Sequence, residues 1–507
     1  MGFSVDWRLQ YDTISSEVQA VSQQRFVELV RDGIVVKKEF PALRCVRNQT
    51  TIAQAETEEK EVESFFVFLD FVGESGEKIQ IATTRPELLP AVAAIFVHPE
   101  DERFASLAGK TFVSPLGKKV PVLLEETVKP EKGTGAVMAC SYGDSMDLFR
   151  FQKHKLEEKI VISQFGKMKN TGLERLDGLS VHSGREAMIA WLEEQNLVVK
   201  KEKIRHSKMY SERGKCAVEI LPVSQRFLKI LENKAAILET ALEMDWKPDH
   251  MKKRFINRLE GLQWDWNISR SRKFGIPLPV RYKPDGTLVM PEKIEAPVDP
   301  VFGKFPGESS RELVPEELVL DTRFTSGLTW KITQKIAEKH GFDGEWLPMS
   351  LRPQAHDIIR TRLLYSVVHA WYEKKKKPFE TVMISGHVLA GKNEKLSKSK
   401  GNAKFTPEEL LENFSADAIR YFAASGELGA DMVFDEQVLK IGQKLLTKLW
   451  NVGNFVAMQT EDFEFSVEKI PEKLQWADRR ILGRSASMAE LVKNYFERFE
   501  VGHAKMK

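Results

Sequence analysis

The spacing of apolar and polar positions changes several times along the chain, and each change marks an element boundary. Residues from about 14 to 40, rich in Glu, Gln and Arg, read as a helix ending near Gly33. From 63 to 140 the pattern turns to strand-like alternation. Phe65-Phe66-Val67-Phe68-Leu69, Ile79-Gln80-Ile81-Ala82-Thr83 and Ala94-Ile95-Phe96-Val97 are separated by glycine and proline. Helical patterns return near 184–200 and 223–262, and a Pro- and Gly-rich stretch spans about 276–309. Short apolar strands at 317–321 and 380–385 flank a long helix at about 356–377, which is an α/β pattern. From about 406 the chain reads as helical throughout, with amphipathic runs at 435–458 and 476–500.

Composition changes this picture little. A chain of 507 residues, 42% apolar and 29% charged, is globular and long enough for several domains. The net charge of +3 excludes no class of partner, because a nucleic-acid binder can gather its basic groups on one face. The run Lys374 to Lys377 reads as a solvated helix end before Pro378, with phosphate contact as the alternative. Only Cys45, Cys140 and Cys216 occur, with no CxxC pair, so neither a disulfide framework nor a cysteine zinc knuckle is supported. The N-terminus has no basic region followed by an apolar run, and no long uncharged stretch follows. The expectation is a soluble, cytoplasmic protein with no membrane segment.

Chemistry concentrates in five short stretches. Lys395-Leu396-Ser397-Lys398-Ser399-Lys400 lies between Gly391 and Gly401. Such a loop either sits solvated on the surface or closes over a polyanion, placing Lys395 and Lys398 on the charge that builds in a transition state, with Ser397 and Ser399 between them. Thr83 and Thr84 bring hydroxyls to a strand end, and Arg85 brings a planar fork that suits phosphate or carboxylate. Gly133 and Gly135 let backbone come close to a ligand. Asp144 and Asp147, three apart, face one side of a helical first turn, where helix capping and ligand binding are compatible readings. The fifth stretch runs Leu351-Arg352-Pro353-Gln354-Ala355-His356-Asp357-Ile358-Ile359-Arg360-Thr361, and Ile384-Ser385-Gly386-His387 follows it.

In this order and spacing the stretches resemble the valyl type of class I aminoacyl-tRNA synthetases, within their valine, isoleucine and leucine subgroup. The lysine loop is similar to the KMSKS signature with Leu396 for Met. The resemblance implies an α/β, Rossmann-like nucleotide-binding core, interrupted by a β-rich editing domain and followed by a helical bundle. Its divisions would be 1–62 (core remnant), 63–215 (editing), 216–405 (second half of the core) and 406–507 (helical connection and start of the bundle). It implies ATP-dependent activation of valine, transfer to tRNA(Val) and hydrolysis of mischarged threonyl-tRNA, with Mg²⁺ accompanying the ATP. A hydrophobic site separates valine from threonine only about 100-fold, which is why a second, hydrolytic site is needed. Carried over, Gln354, His356, Asp357 and His387 face the adenylate, and Lys395 and Lys398 serve the α-phosphorus and pyrophosphate. Asp321 and Arg323 fall at the amino-acid pocket. Thr83, Thr84, Arg85, Asp144 and Asp147 fall at the editing pocket, with Asp147 on the ammonium of the misattached amino acid.

Three departures from that family stand out. No HIGH-type element precedes the insert, since the first histidine is His98. The expectation is an internal fragment, or one part of a split enzyme whose separate chain carries the missing N-terminal half. Cys45-Val46-Arg47-Asn48 stands where many relatives have a CxxC knuckle, so no zinc is expected. Arginine occupies six positions where the family pattern has tryptophan: Arg44, Arg226, Arg258, Arg281, Arg323 and Arg362. An unpaired guanidinium in the amino-acid pocket would cost several kcal/mol, and decay of a gene would scatter its losses over residue types. The hypothesis is that these are CGG codons read as tryptophan. The alternatives remain open: a fragment that only edits or binds tRNA, an isoleucyl-type relative, or a degenerating copy.

Overall fold

The computed structural model describes residues 2–52, 56–262, 264–303, 305, 312–391, 394–395, 406–463 and 474–507. Helix α1 (Ser16–Arg31) is capped by Ser15, whose hydroxyl accepts from Val18 N–H, and it buries Val18, Phe26, Val27 and Leu29. It stops at Arg31, beside the expected end near Gly33. Gly33 takes φ +66°, and the β-branched run after it enters strand β1 (Val35–Cys45) instead of continuing the helix.

An insert then forms around its own apolar core, with Phe71, Phe112 and Ile79 fully buried. Its strands are β2 (Thr57–Gly73), β3 (Lys78–Thr83), β4 (Val92–Val97), β5 (Thr111–Val113), β6 (Lys119–Leu124) and β7 (Ala136–Cys140). Helices α2 (Ser145–His154) and α3 (Val181–Glu194) follow, and β8 (Val198–Ser211) completes it. The seven strands form one sheet in the order β3-β2-β5-β6-β4-β7, with β8 pairing along 57–69 of β2 on the side opposite β3. The β2–β8 pair is a long ribbon, from Thr57↔Ser211 to Leu69↔Val198, carrying Glu on one strand and Lys or Arg on the other.

Strand β9 (Val218–Leu228) returns to the core antiparallel to β1, in register from Cys45↔Val218 to Val35↔Leu228. These two strands are the stalk of the insert. Beyond it, β10 (Asp245–Lys247), β11 (Met349–Ala355) and β12 (Phe379–Ser385) form a parallel sheet in the order β10-β12-β11, with helix α4 (Arg362–Lys374) crossing between β11 and β12. A second apolar core, with Phe26, Phe255, Phe324, Trp330 and Phe379 fully buried, surrounds this sheet. At the end of α4, Lys375 lies over the Trp371 ring at 3.3 Å, and Lys376 and Lys377 pair with Glu345 and Glu380.

The last hundred residues are mainly helical. Helices α5 (Glu436–Gln459) and α6 (Trp476–Glu497) match the two amphipathic runs. Leu449, Trp450, Val452 and Phe455 on α5 are more than half exposed. No helix among the described residues is long and apolar enough to cross a membrane.

Candidate active sites

Parallel strands present their carboxyl ends on one edge, and loops leaving that edge form a crevice. Gln354↔Ile384 and Ala355↔Ser385 are the last pairs of β11 and β12, so His356 and Asp357 leave one strand beside His387 leaving the other. The two imidazole rings meet edge to face at 4.4 Å. His356 Nδ1 stands 3.1 Å from Arg254 Nη1. A guanidinium only donates, so Nδ1 accepts and Nε2 carries the proton, which it donates to Asp431 Oδ1 at 2.8 Å. The same carboxylate oxygen accepts the His387 backbone N–H at 2.7 Å. That N–H, and then His356, hold the Asp431 carboxyl below its ordinary range. Asp357 Oδ2 lies 3.7 Å from His387 Nε2. Gln354 is buried two residues upstream; its Oε1 accepts from Arg352 Nε at 3.3 Å, and its Nε2 has no partner among the described residues.

The structure therefore gathers Gln354, His356, Asp357 and His387 at one sheet edge. It adds Arg254 and Asp431, which sequence patterning missed: both come from segments remote from the motif, and neither sits in a distinctive local pattern. Lys395 enters the hairpin that leaves this edge, pairing through its backbone with Leu389. Its side chain and all of Ser397, Lys398 and Ser399 lie outside the described residues.

Asp321 caps the short helix Thr322–Gly327, and its Oδ2 accepts from buried Arg270 at 2.8 Å and from Trp266 Nε1 at 3.4 Å. Trp266 stacks flat on Tyr365, ring centroids 3.6 Å apart. Arg323 departs from expectation. It is not an unpaired charge, since its Nη1 reaches Glu56 at 3.8 Å, and Arg272 shares that carboxylate at 3.4 Å.

In the insert, Thr83 is buried at the end of β3, and its hydroxyl accepts the Arg85 N–H at 3.0 Å; Thr84 beside it is half-buried. Arg85 does not offer a free fork. It donates to Glu87 at 3.1 Å, to Glu219 at 2.6 Å and to the Gly143 carbonyl at 2.8 Å. Glu87 is fully buried and also holds Arg185 through two bonds of 2.9 and 2.7 Å. Arg85 thus clamps the β3 end, the stalk residue Glu219 and the aspartate loop together. Asp144 is exposed and caps α2 by accepting the Asp147 N–H at 2.8 Å. Asp147 turns inward, accepting the Cys140 N–H at 3.3 Å and lying 3.5 Å from Arg150. The two carboxylates therefore part company instead of sharing a face. A Cβ on Gly143 would lie 2.2 Å from Asp147 Oδ2, so only glycine leaves room for this carboxylate. Burial, and next the charge of Asp144, push the Asp147 carboxyl up to about 8.

Residues 1–435 match the family model of class I tRNA synthetases for isoleucine, leucine, methionine and valine. The chain belongs to the class I tRNA synthetases. A relative from Wolbachia of Brugia malayi, named valine–tRNA ligase, is 37% identical over 99% of this chain and 64% of its own length. Those of Ehrlichia ruminantium (strain Gardel) and Rickettsia conorii bear the same name. They are 40% and 38% identical over 90% and 99% of this chain, and 57% and 64% of their own lengths. The chain thus spans roughly three fifths of the curated relatives it matches. The leucyl-tRNA synthetase agnB2 of Agrobacterium radiobacter K84, solved with tRNA and LeuAMS, superposes with a TM-score of 0.53 at 16% identity, covering 99% of this chain and 69% of that one. That likeness establishes the class I synthetase fold.

Proposed function

We propose that this class I synthetase chain serves a valine–tRNA ligase, activating valine with ATP, transferring it to tRNA(Val) and hydrolysing threonyl errors in the insert. The observation that carries the reading is the cluster of Gln354, His356, Asp357 and His387 on the carboxyl edge of the parallel sheet, at the root of the lysine hairpin. The shared name of the relatives favours valine. The imidazole pair, with the His356 ring and the His387 backbone held by Asp431, lines the crevice, while Lys395 and Lys398 would meet the phosphates. Mg²⁺ would come with the ATP and neutralise phosphate charge; among the described residues no cluster of three or more His, Cys, Asp or Glu suits a metal. The partners are then valine, ATP and tRNA(Val), in the cytoplasm.

In the insert, between Thr83, Thr84 and the Gly143–Asp147 loop, an ammonium arriving at Asp147 would draw its carboxyl into the charged form. Residues 63–215 would be the editing unit. Valine-dependent ATP–pyrophosphate exchange, together with deacylation of threonyl-tRNA(Val), tests both halves. Exchange lost in Lys398→Ala with deacylation kept supports the reading. Deacylation without any exchange leaves editing alone, and exchange with isoleucine in place of valine overturns the assignment.

A further inference from the structure

Cys45 ends β1 and Cys216 lies in the bend after the turn that follows Ser211, yet their sulfurs stand 3.6 Å apart across 171 residues of chain. Cys45 is fully buried and Cys216 is partly exposed. The turn presses directly on the inner sulfur: a Cβ on Gly214 would lie 2.3 Å from Cys45 Sγ and 3.0 Å from Ser211 Oγ. Cys45 Sγ also accepts the Asn48 N–H at 3.4 Å. Burial pushes the Cys45 thiol up, but hydrogen bonds from the Ser211 hydroxyl, the Asn48 N–H and Cys216 outweigh it and leave the thiol lowered. Burial raises Cys216. The third cysteine, Cys140, is buried at the far end of β7, and its thiol is raised well above the ordinary range.

We propose that Cys45 and Cys216 form an oxidisable dithiol at the base of the insert, which a peroxide converts to an intramolecular disulfide. The accessible Cys216 sulfur reacts first. It gives two electrons to the peroxide, the O–O bond breaks, one oxygen stays on sulfur as a sulfenic acid, and the other takes up the Cys216 thiol proton and leaves as water. The Cys45 thiolate then attacks that sulfur. The S–S bond forms as the S–O bond breaks, and the departing hydroxide takes the proton that Cys45 released, leaving as a second water. Two thiols and one hydrogen peroxide thus give one disulfide and two waters. The sulfurs must close from 3.6 Å to about 2 Å, a movement that the short 211–216 turn can supply without disturbing the β1–β9 ladder. The bond joins the two ends of the insert and makes it a covalently closed loop. Neither crevice residues nor Asp147 take part.

The test is peptide mapping of the full, native chain after brief treatment with hydrogen peroxide, alkylated without reduction. A single cross-linked peptide pair joining Cys45 to Cys216 is expected, lost on reduction and absent from Cys216→Ser, with Cys140 alkylated only after denaturation. The oxidised protein should also melt at a higher temperature than the reduced one, because cross-linking restricts the unfolded chain. Sulfinic acid at Cys216 beside a Cys45 that still alkylates would overturn the proposal. So would zinc released stoichiometrically into a chromogenic chelator, with both thiols inert to peroxide. Because the mapping needs no enzymatic activity, its outcome is independent of the functional reading above.

Discussion

Among the described residues, buried and half-buried arginines differ in what faces the guanidinium. Arg25, Arg85, Arg150, Arg185 and Arg270 each have a carboxylate within 3.5 Å: Glu28, Glu219, Asp147, Glu87 and Asp321. Arg44, Arg226 and Arg281 do not. Arg44 donates to the carbonyls of Gln164 and Gln49, Arg226 to the Tyr282 hydroxyl, and Arg281 to the carbonyls of Pro300 and Gly303 while lying over Phe305. Arg362 keeps a buried Nε without a partner among the described residues, and burial lowers its pKa. An interior cation without an anion is costly, whereas an indole would fill such a site without charge. These are four of the six positions where the family pattern has tryptophan; Arg323, of the same six, is paired with Glu56. Peptide mass spectrometry of protein from its native source should therefore find tryptophan at 44, 226, 281 and 362; arginine at all four sinks the codon hypothesis. Asp147 makes a second prediction at this scale. Its folded pKa, about 8, lies above the unfolded value, so the folded state holds the proton more tightly and stability falls as pH rises from about 4 to 8. Asp147→Asn should flatten that slope and gain a few kcal/mol at neutral pH in urea unfolding, while abolishing deacylation of threonyl-tRNA. In the unchanged protein, deacylation should climb as pH passes through about 8.

Elements were legible where one strand or helix carries its own pattern, and illegible where the partner decides. The strand of Ile79–Thr83 announced itself because alternate positions are buried, and those of Phe65–Leu69 and Ala94–Val97 because they are continuous apolar runs, buried on both faces at 67–69 and 94–97. Strand β8, rich in lysine, did not: Lys203 and Arg205 are matched by Glu63 of β2, more than a hundred residues upstream. Strand β1 carries little signal of its own, because Lys37-Lys38-Glu39 suit either state, and its pairing with β9 settles the matter. The same division holds at the sites. His356 and His387 were visible as motif residues, but Asp431, which holds the ring of the first and the backbone of the second, is visible only in three dimensions. Asp431→Ala should lower valine-dependent exchange by roughly 100-fold, the loss expected when active-site groups are misplaced by about 1 Å, with threonyl-tRNA deacylation unchanged. Glu87 occupies the corresponding place in the insert. Removing it leaves Arg185 without its ion-pair partner and Arg85 with Glu219 alone, so Glu87→Ala should cost about 3–5 kcal/mol in the urea unfolding of the insert.

At the scale of the molecule, two cores share one stalk, and the helical end exposes an apolar stripe. Leu449 is 58% and Phe455 59% exposed on α5, a surface of the kind that binds apolar dyes. The chain in isolation should enhance the fluorescence of such a dye, and Leu449→Lys with Phe455→Lys should abolish most of the signal without changing the melting temperature. The stalk has a consequence in time. Cys45 leaves the ribosome 173 residues before its partner Val218 (218 − 45), and every rung down to Val35↔Leu228 waits longer. At roughly 5–20 residues per second that wait is about 10–35 s, far beyond the microseconds in which a hairpin closes. The edge of nascent β1 that faces β9 must therefore stay unpaired while the whole insert is made and folded behind it, and the core around α1 can be completed only after β9 arrives.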